Sequence, residues 1–184
     1  MIDGFVESQG AKLHYIANAH QADRTTLLFV PGVMLPAWIW NAQLHHFASH
    51  YNVVAMEPRS QGDSQQVTEG HYAFSMAQDI RNVVDALNVK KLILIGWSIA
   101  ASQALNYAVH FAQQELVGLV LVDGLVGIDP SLPFFASTVD YWDQLQRDRL
   151  EKSKQFVFHD IFKQPQPPAF LERLLEVALR TPTN

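Results

Sequence analysis

The sequence contains no cysteine. That absence removes disulfides, thiolate nucleophiles and cysteine-ligated zinc in one step, and it fits a reducing compartment. Charge is sparse as well, at 17% of residues, with a formal net charge of −5. Lys and Arg are scattered, so no basic stripe offers itself to nucleic acid or to an anionic membrane surface, and neither is an expected partner. The longest apolar run, Leu116 to Ile128, is interrupted by Asp123 and is too short to span a bilayer. Met1-Ile2-Asp3-Gly4 lacks the basic-then-apolar order of a secretory leader, which makes a cytoplasmic location the default expectation. Apolar residues make up 48% of 184, enough for one domain with a sizeable core, in a chain too short for two ordinary domains. Neither a metal nor a cofactor is expected.

Periodicity orders the chain. Gly4 to Asn18 reads as a hairpin turning at Gln9-Gly10, and Thr25 to Val30 as a buried strand stopped by Pro31-Gly32. Trp38 to His50 has helical spacing, Asn52 to Met56 is a second buried strand, and Pro58 to Gly70 is a polar loop. An amphipathic helix is expected over Tyr72 to Leu87, a strand over Lys91 to Ile95, a helix over Ser98 to Gln113 and a strand over Leu116 to Val122. Strands alternating with helices from residue 25 to 123 imply an α/β fold, a mostly parallel sheet with helices on both faces. Residues 134–180 carry helical periodicity and aromatic residues, broken by Pro165, Pro167 and Pro168, with no further strand.

The chemistry concentrates at Leu94-Ile95-Gly96-Trp97-Ser98-Ile99-Ala100, a buried strand running into a helix through Gly-x-Ser-x-Ala. Small residues two places before and after the serine let strand and helix approach closely. The Ile99 N–H stands at a helix start, where free donors and the dipole favour a developing oxyanion. This segment resembles the nucleophile elbow of the α/β hydrolases. Leu27-Leu28-Phe29-Val30-Pro31-Gly32-Val33-Met34 resembles their oxyanion loop, with Pro31 in place of the usual histidine. Glu57-Pro58-Arg59-Ser60-Gln61-Gly62-Asp63-Ser64 resembles their Asp-x-Arg-Gly-x-Gly-x-Ser loop, with Glu57 for Asp and Ser60 for Gly, and its role there is structural. Leu119 to Gly124 matches the strand after the nucleophile helix. The likeness is closest to bacterial cofactor-free serine esterases and to haloperoxidase-like and lactonase-like members.

That resemblance implies an α/β-hydrolase fold: a doubly wound sheet with an amino-terminal antiparallel hairpin over residues 1–128, and the start of a helical lid over 129–184. It implies Ser98 as nucleophile and the N–H groups of Val33 and Ile99 as oxyanion hole, Met34 being the second choice beside Val33. Asp123 is the candidate acid. Met34, Trp97 and Phe134 are candidate pocket residues, and Trp38, Trp40, Phe135, Tyr141 and Trp142 are further candidates, although core packing is the simpler reading for most of these aromatics. Serine at the elbow argues against dehalogenase and epoxide-hydrolase chemistry, which uses aspartate there.

A serine nucleophile needs a base, and in this fold the order is Ser, acid, His. Only His110 and His159 follow Ser98, one three turns along the nucleophile helix and the other in the lid. The expectation is therefore that the remaining strands, acid and histidine lie beyond residue 184 and that the chain is a fragment. The alternative is a short protein that completes its sheet with another copy. The expected activity is hydrolysis of a small apolar carboxylic ester or lactone; the competing readings are a non-catalytic ligand-binding or regulatory protein, or an inactive remnant.

Overall fold

The computed structural model describes residues 1–124, 131 and 133–182, the side chains of Pro133 and Phe134 excepted. Six strands form one sheet in the order β1-β2-β4-β3-β5-β6: β1 (Ile2–Ser8), β2 (Ala11–Ala17), β3 (Thr26–Val30), β4 (Asn52–Met56), β5 (Leu92–Trp97) and β6 (Leu116–Val122). The β1–β2 and β2–β4 pairs are antiparallel, and β4–β3, β3–β5 and β5–β6 are parallel. The hairpin turn carries positive φ at both Gln9 (48°) and Gly10 (74°), the twist a two-residue connection between right-twisted strands requires. Every residue of β3 and β4 is buried, which is why both read as unbroken apolar runs rather than alternating ones.

Alternate residues of the strands serve two cores. Leu28, Val54, Leu92 and Leu94 pack against α2 (Ala73–Ala86) and α3 (Ala100–His110), through Ile80, Val83, Ala104 and Tyr107. On the opposite face Leu27, Phe29, Val53 and Ile95 pack against Trp40 and Leu44. These last belong to a 3-10 turn, Ala37–Trp40, that runs into α1 (Asn41–Phe47), so the helix expected over Trp38 to His50 is shorter and split. The helix expected from Ser98 begins only at Ala100, because Ser98 has a positive φ that no α-helix accepts. The preceding strand runs two residues further than expected, since Gly96 and Trp97 still pair with Leu121 and Val122.

Past residue 131 come α4 (Pro133–Arg147), α5 (Arg149–Gln155), one π turn (Phe156–Asp160) and α6 (Pro168–Arg180). Pro168 opens α6 at its first turn, where its missing N–H costs nothing, so this proline starts a helix rather than breaking one. Leu145, Val157, Leu174 and Ala178 bury against Met34 and Leu35, which sets this helical layer over the loop leaving the carboxyl end of β3. Among the described residues no helix is long and apolar enough to cross a membrane.

Candidate active site

Ser98 sits at the turn between β5 and α3 with φ of 57°. A side chain in the left-handed region costs about 1–2 kcal/mol, so the surroundings must hold it there. They do: the Ser98 N–H donates to the Val122 carbonyl at 2.9 Å, and the Ser98 carbonyl accepts from the Ala101 N–H at 3.0 Å. A Cβ at position 96 would lie 2.4 Å from the Ala100 carbonyl oxygen, which makes Gly96 obligatory, whereas the Ala100 methyl is accommodated in full burial. The spacing that read as an elbow in sequence is therefore a steric requirement of this turn.

The Ser98 cavity holds about 190 Å³ and is walled by Val33, Trp97, Ser98, Asp123, Phe156 and Asp160, with Gly32 at its base. Gly32 is there for room, since a Cβ on it would stand 3.2 Å from the Ser98 Cβ. The backbone N–H groups of Val33 and Ile99 have no hydrogen-bond partner among the described residues. Asp123, with φ of 45°, is exposed at the end of β6 and reaches the same cavity. Met34 does not. Its side chain is buried under α4–α6, and its N–H is taken by the Gln61 side-chain oxygen at 2.5 Å, so neither the pocket role nor the second-choice donor role falls to it. The Phe134 side chain lies outside the described residues.

Neither later histidine lines this cavity. His110 ends α3 against Phe74, with ring centroids 5.4 Å apart, and His159 borders a separate surface cleft with Phe162 and Lys163. Across Trp97 lies a larger cavity of about 570 Å³, walled by Trp38, Trp40, Phe162, Phe170 and Arg173. Three of the candidate aromatics thus line cavities, while Tyr141 and Trp142 pack in the helical layer. Asp160, Phe156 and Gln61 escaped the sequence reading. The first two sit on a π turn with no local motif, and the third touches its partner 27 residues away.

Beneath the site, the loop after β4 is tied in three directions. Glu57, 1% exposed, accepts from the Ala37 N–H at 2.8 Å and the Asp63 N–H at 2.5 Å, and meets His14 Nδ1 at 2.9 Å. Arg59 grips Asp79 of α2 with two bonds of 2.8 and 2.7 Å. Ser60 has φ of 63° and exchanges hydrogen bonds with Val67 while contacting His71, which offsets placing a serine where glycine would be unstrained. A Cβ at Gly62, with φ of 56°, would fall 2.1 Å from the Glu57 carboxyl carbon, so that glycine is required. Burial depresses the His14 pKa, but the hydrogen bond to and charge of Glu57, followed by Asp3, outweigh it and the net shift is upward. His14, Glu57 and Asp63 offer ligand atoms within 4.8 Å of one another. Both His14 nitrogens already face carboxylates and both Glu57 oxygens already hold backbone donors, so the group is satisfied as a hydrogen-bond network.

A six-stranded, mostly parallel sheet with a serine on a strained strand-to-helix turn defines a hydrolase-type α/β architecture. Residues 27–183 match the profile of the Alpha/beta hydrolase family, and the chain belongs to that family. It is 27% identical over 145 residues to a bifunctional esterase/perhydrolase of Acinetobacter calcoaceticus, covering 76% of this chain and 51% of that one. It is 29% identical over 108 residues to epoxide hydrolase 3 of Mus musculus, covering 58% and 29% respectively. The chain therefore spans about half the length, or less, of these curated relatives. An esterase from Exiguobacterium antarcticum superposes with a TM-score of 0.83 at 17% identity, over 97% of this chain and 68% of that one. The enol-lactonase of Burkholderia xenovorans LB400 superposes with a TM-score of 0.78 at 15% identity, over 98% and 69%. These two likenesses concern the fold.

Proposed function

We propose that Ser98 is the nucleophile of a hydrolase acting on a small apolar carboxylic ester or lactone. The observation that carries this reading is the Ser98 φ of 57° in a cavity lined by Val33, whose N–H, like that of the adjoining Ile99, has no partner among the described residues. A strained serine beside two free donors suits acyl transfer. The Ser98 oxygen adds to the carbonyl carbon while its proton passes to a base, and the two N–H groups hold the resulting oxyanion. Collapse expels the alkoxide, which takes the proton back from the base, and water then releases the acid from the acyl-enzyme. A hydroxyl nucleophile, rather than a carboxylate, favours the esterase-like relatives over the epoxide hydrolases as guides to the reaction. Asp123 is the candidate acid, and the base is a histidine other than His110 and His159. The whole protein would act on a small molecule in the cytoplasm, without nucleic acid, membrane or cofactor.

Treatment with an alkyl fluorophosphonate tests this reading. A single adduct on Ser98, located by peptide mass spectrometry and absent from Ser98→Ala, is expected. If the whole protein, its histidine base included, folds and takes no adduct at Ser98, the nucleophile reading fails and a ligand-binding role for the cavity takes its place.

A further inference from the structure

We propose that Gln61 is a positioning residue for the oxyanion pocket: by capturing the Met34 N–H it fixes the turn that leaves the adjacent Val33 N–H as the donor for Ser98. The inference rests on the reading of Ser98 as nucleophile. Met34 is 3% exposed and has φ of 67°, a backbone state that an L-residue keeps only under constraint. Its N–H is buried and would be orphaned without an acceptor. The acceptor is the Gln61 side-chain oxygen at 2.5 Å, and the residue carrying it is 5% exposed. Because only an oxygen can accept from that N–H, the contact also fixes which end of the amide faces the loop.

Gln61 is itself held rigidly. Its N–H donates to the Pro58 carbonyl at 3.1 Å, and its carbonyl accepts from the Ser64 N–H at 3.0 Å. Three residues beyond Met34, the Ala37 N–H is captured by Glu57 at 2.8 Å. One loop after β4 thus grips the oxyanion loop at two points, Met34 and Ala37, while the nucleophile is held separately from β5. Donor placement in such a pocket tolerates little error, and the close approach of Gly32 to Ser98 leaves little slack. Pro31 stands where a side-chain donor is usual in the resembling enzymes, which places more weight on the backbone donor that Gln61 orients.

The test, made in the whole protein with its histidine base, uses Gln61→Met, which keeps volume and loses the acceptor, and Gln61→Glu, which restores an acceptor oxygen. Two readouts apply: hydrogen exchange of the Met34 amide, and the second-order rate of fluorophosphonate labelling at Ser98. Gln61→Met should speed Met34 exchange at least about 10-fold and slow labelling about 10- to 100-fold, and Gln61→Glu should return both towards wild type. A merely structural role would lower stability without a labelling defect that an acceptor rescues. Unchanged Met34 exchange, or faster exchange with wild-type labelling, overturns the proposal. A wild-type whole protein, its histidine base included, that never labels sinks the nucleophile reading instead, and Met34 exchange alone then decides whether Gln61 fixes the loop. If Gln61→Met does not fold, Gln61→Asn, with the same amide on a shorter stem, replaces it with the same expectations.

Discussion

His14 is 4% exposed and lies between two carboxylates, with Glu57 at 2.9 Å and Asp3 at 3.1 Å. Its pKa stands above the ordinary 6.5, because the hydrogen bonds and charges of these partners, with Asp63 beyond them, prevail over the cost of burial. A raised folded-state pKa means that the native state holds the proton more tightly than the unfolded chain. The stabilisation is complete below pH 6.5 and fades as pH climbs through the raised value. The melting-temperature gap between wild type and His14→Gln should therefore be wider at about pH 5.5 than at about pH 8. His71, pushed down by burial and by Arg59, is common to both proteins and cancels. A gap that stays constant or widens towards pH 8 would show that the ion pair contributes nothing through protonation. At this scale the sequence spoke unevenly. Ser98 was legible because a steric rule ties small residues to fixed offsets from it. Gln61 and His14 were not, since each acquires its meaning from a partner 27 or 43 residues away.

Arg59 and Asp79 join a loop to a helix. The pair is nearly dry, at 4% and 1% exposure, and Asp79 also accepts from Ser8 of β1 at 2.5 Å and from Gln9 at 3.0 Å. One carboxylate thus ties α2, the first hairpin and the loop that grips the turn after β3. Arg59→Met would strand Asp79 without its cation, and urea unfolding should show a loss of about 3–5 kcal/mol. A loss below about 1 kcal/mol would mean that water or rearrangement compensates the carboxylate, and that the loop is not anchored through α2. Elements as such read well from sequence: β4 and β6 match their expected limits, because turn residues and charge bound both apolar runs. Boundaries were lost where backbone geometry decides them. Before α1 the backbone closes on the third residue back, Ile39 N–H on the Pro36 carbonyl and Asn41 N–H on that of Trp38, which makes the 3-10 turn. The late start of α3 follows the strain at Ser98.

Across the whole molecule the two faces of the sheet are covered unequally. Leu119 and Leu121 of β6 turn towards α3, but Val120 and Val122 turn the other way, beside Ile95 and Trp97, and remain 44% and 36% exposed. The 3-10 turn and α1 cover that face over β2, β3, β4 and part of β5, and β6 has no neighbour on its outer side among the described residues. The order of the motifs along the chain was enough to foresee a mostly parallel sheet with alternating helices, but not this unequal cover, and the presence of Asp160 in the Ser98 cavity depends on how a helical layer without motifs comes to rest. An apolar face beside an open strand edge is a surface that attracts another. The 184-residue chain should accordingly self-associate as concentration rises, seen in sedimentation velocity as species heavier than 20.8 kDa. Paired Val120→Thr and Val122→Thr substitutions keep β-branched side chains while removing apolar surface, so they should shift the chain towards monomer at little cost in melting temperature. Unaltered association in that variant would place the contact elsewhere, and a wild-type chain that remains monomeric at all concentrations would show that this face does not draw copies of the chain together.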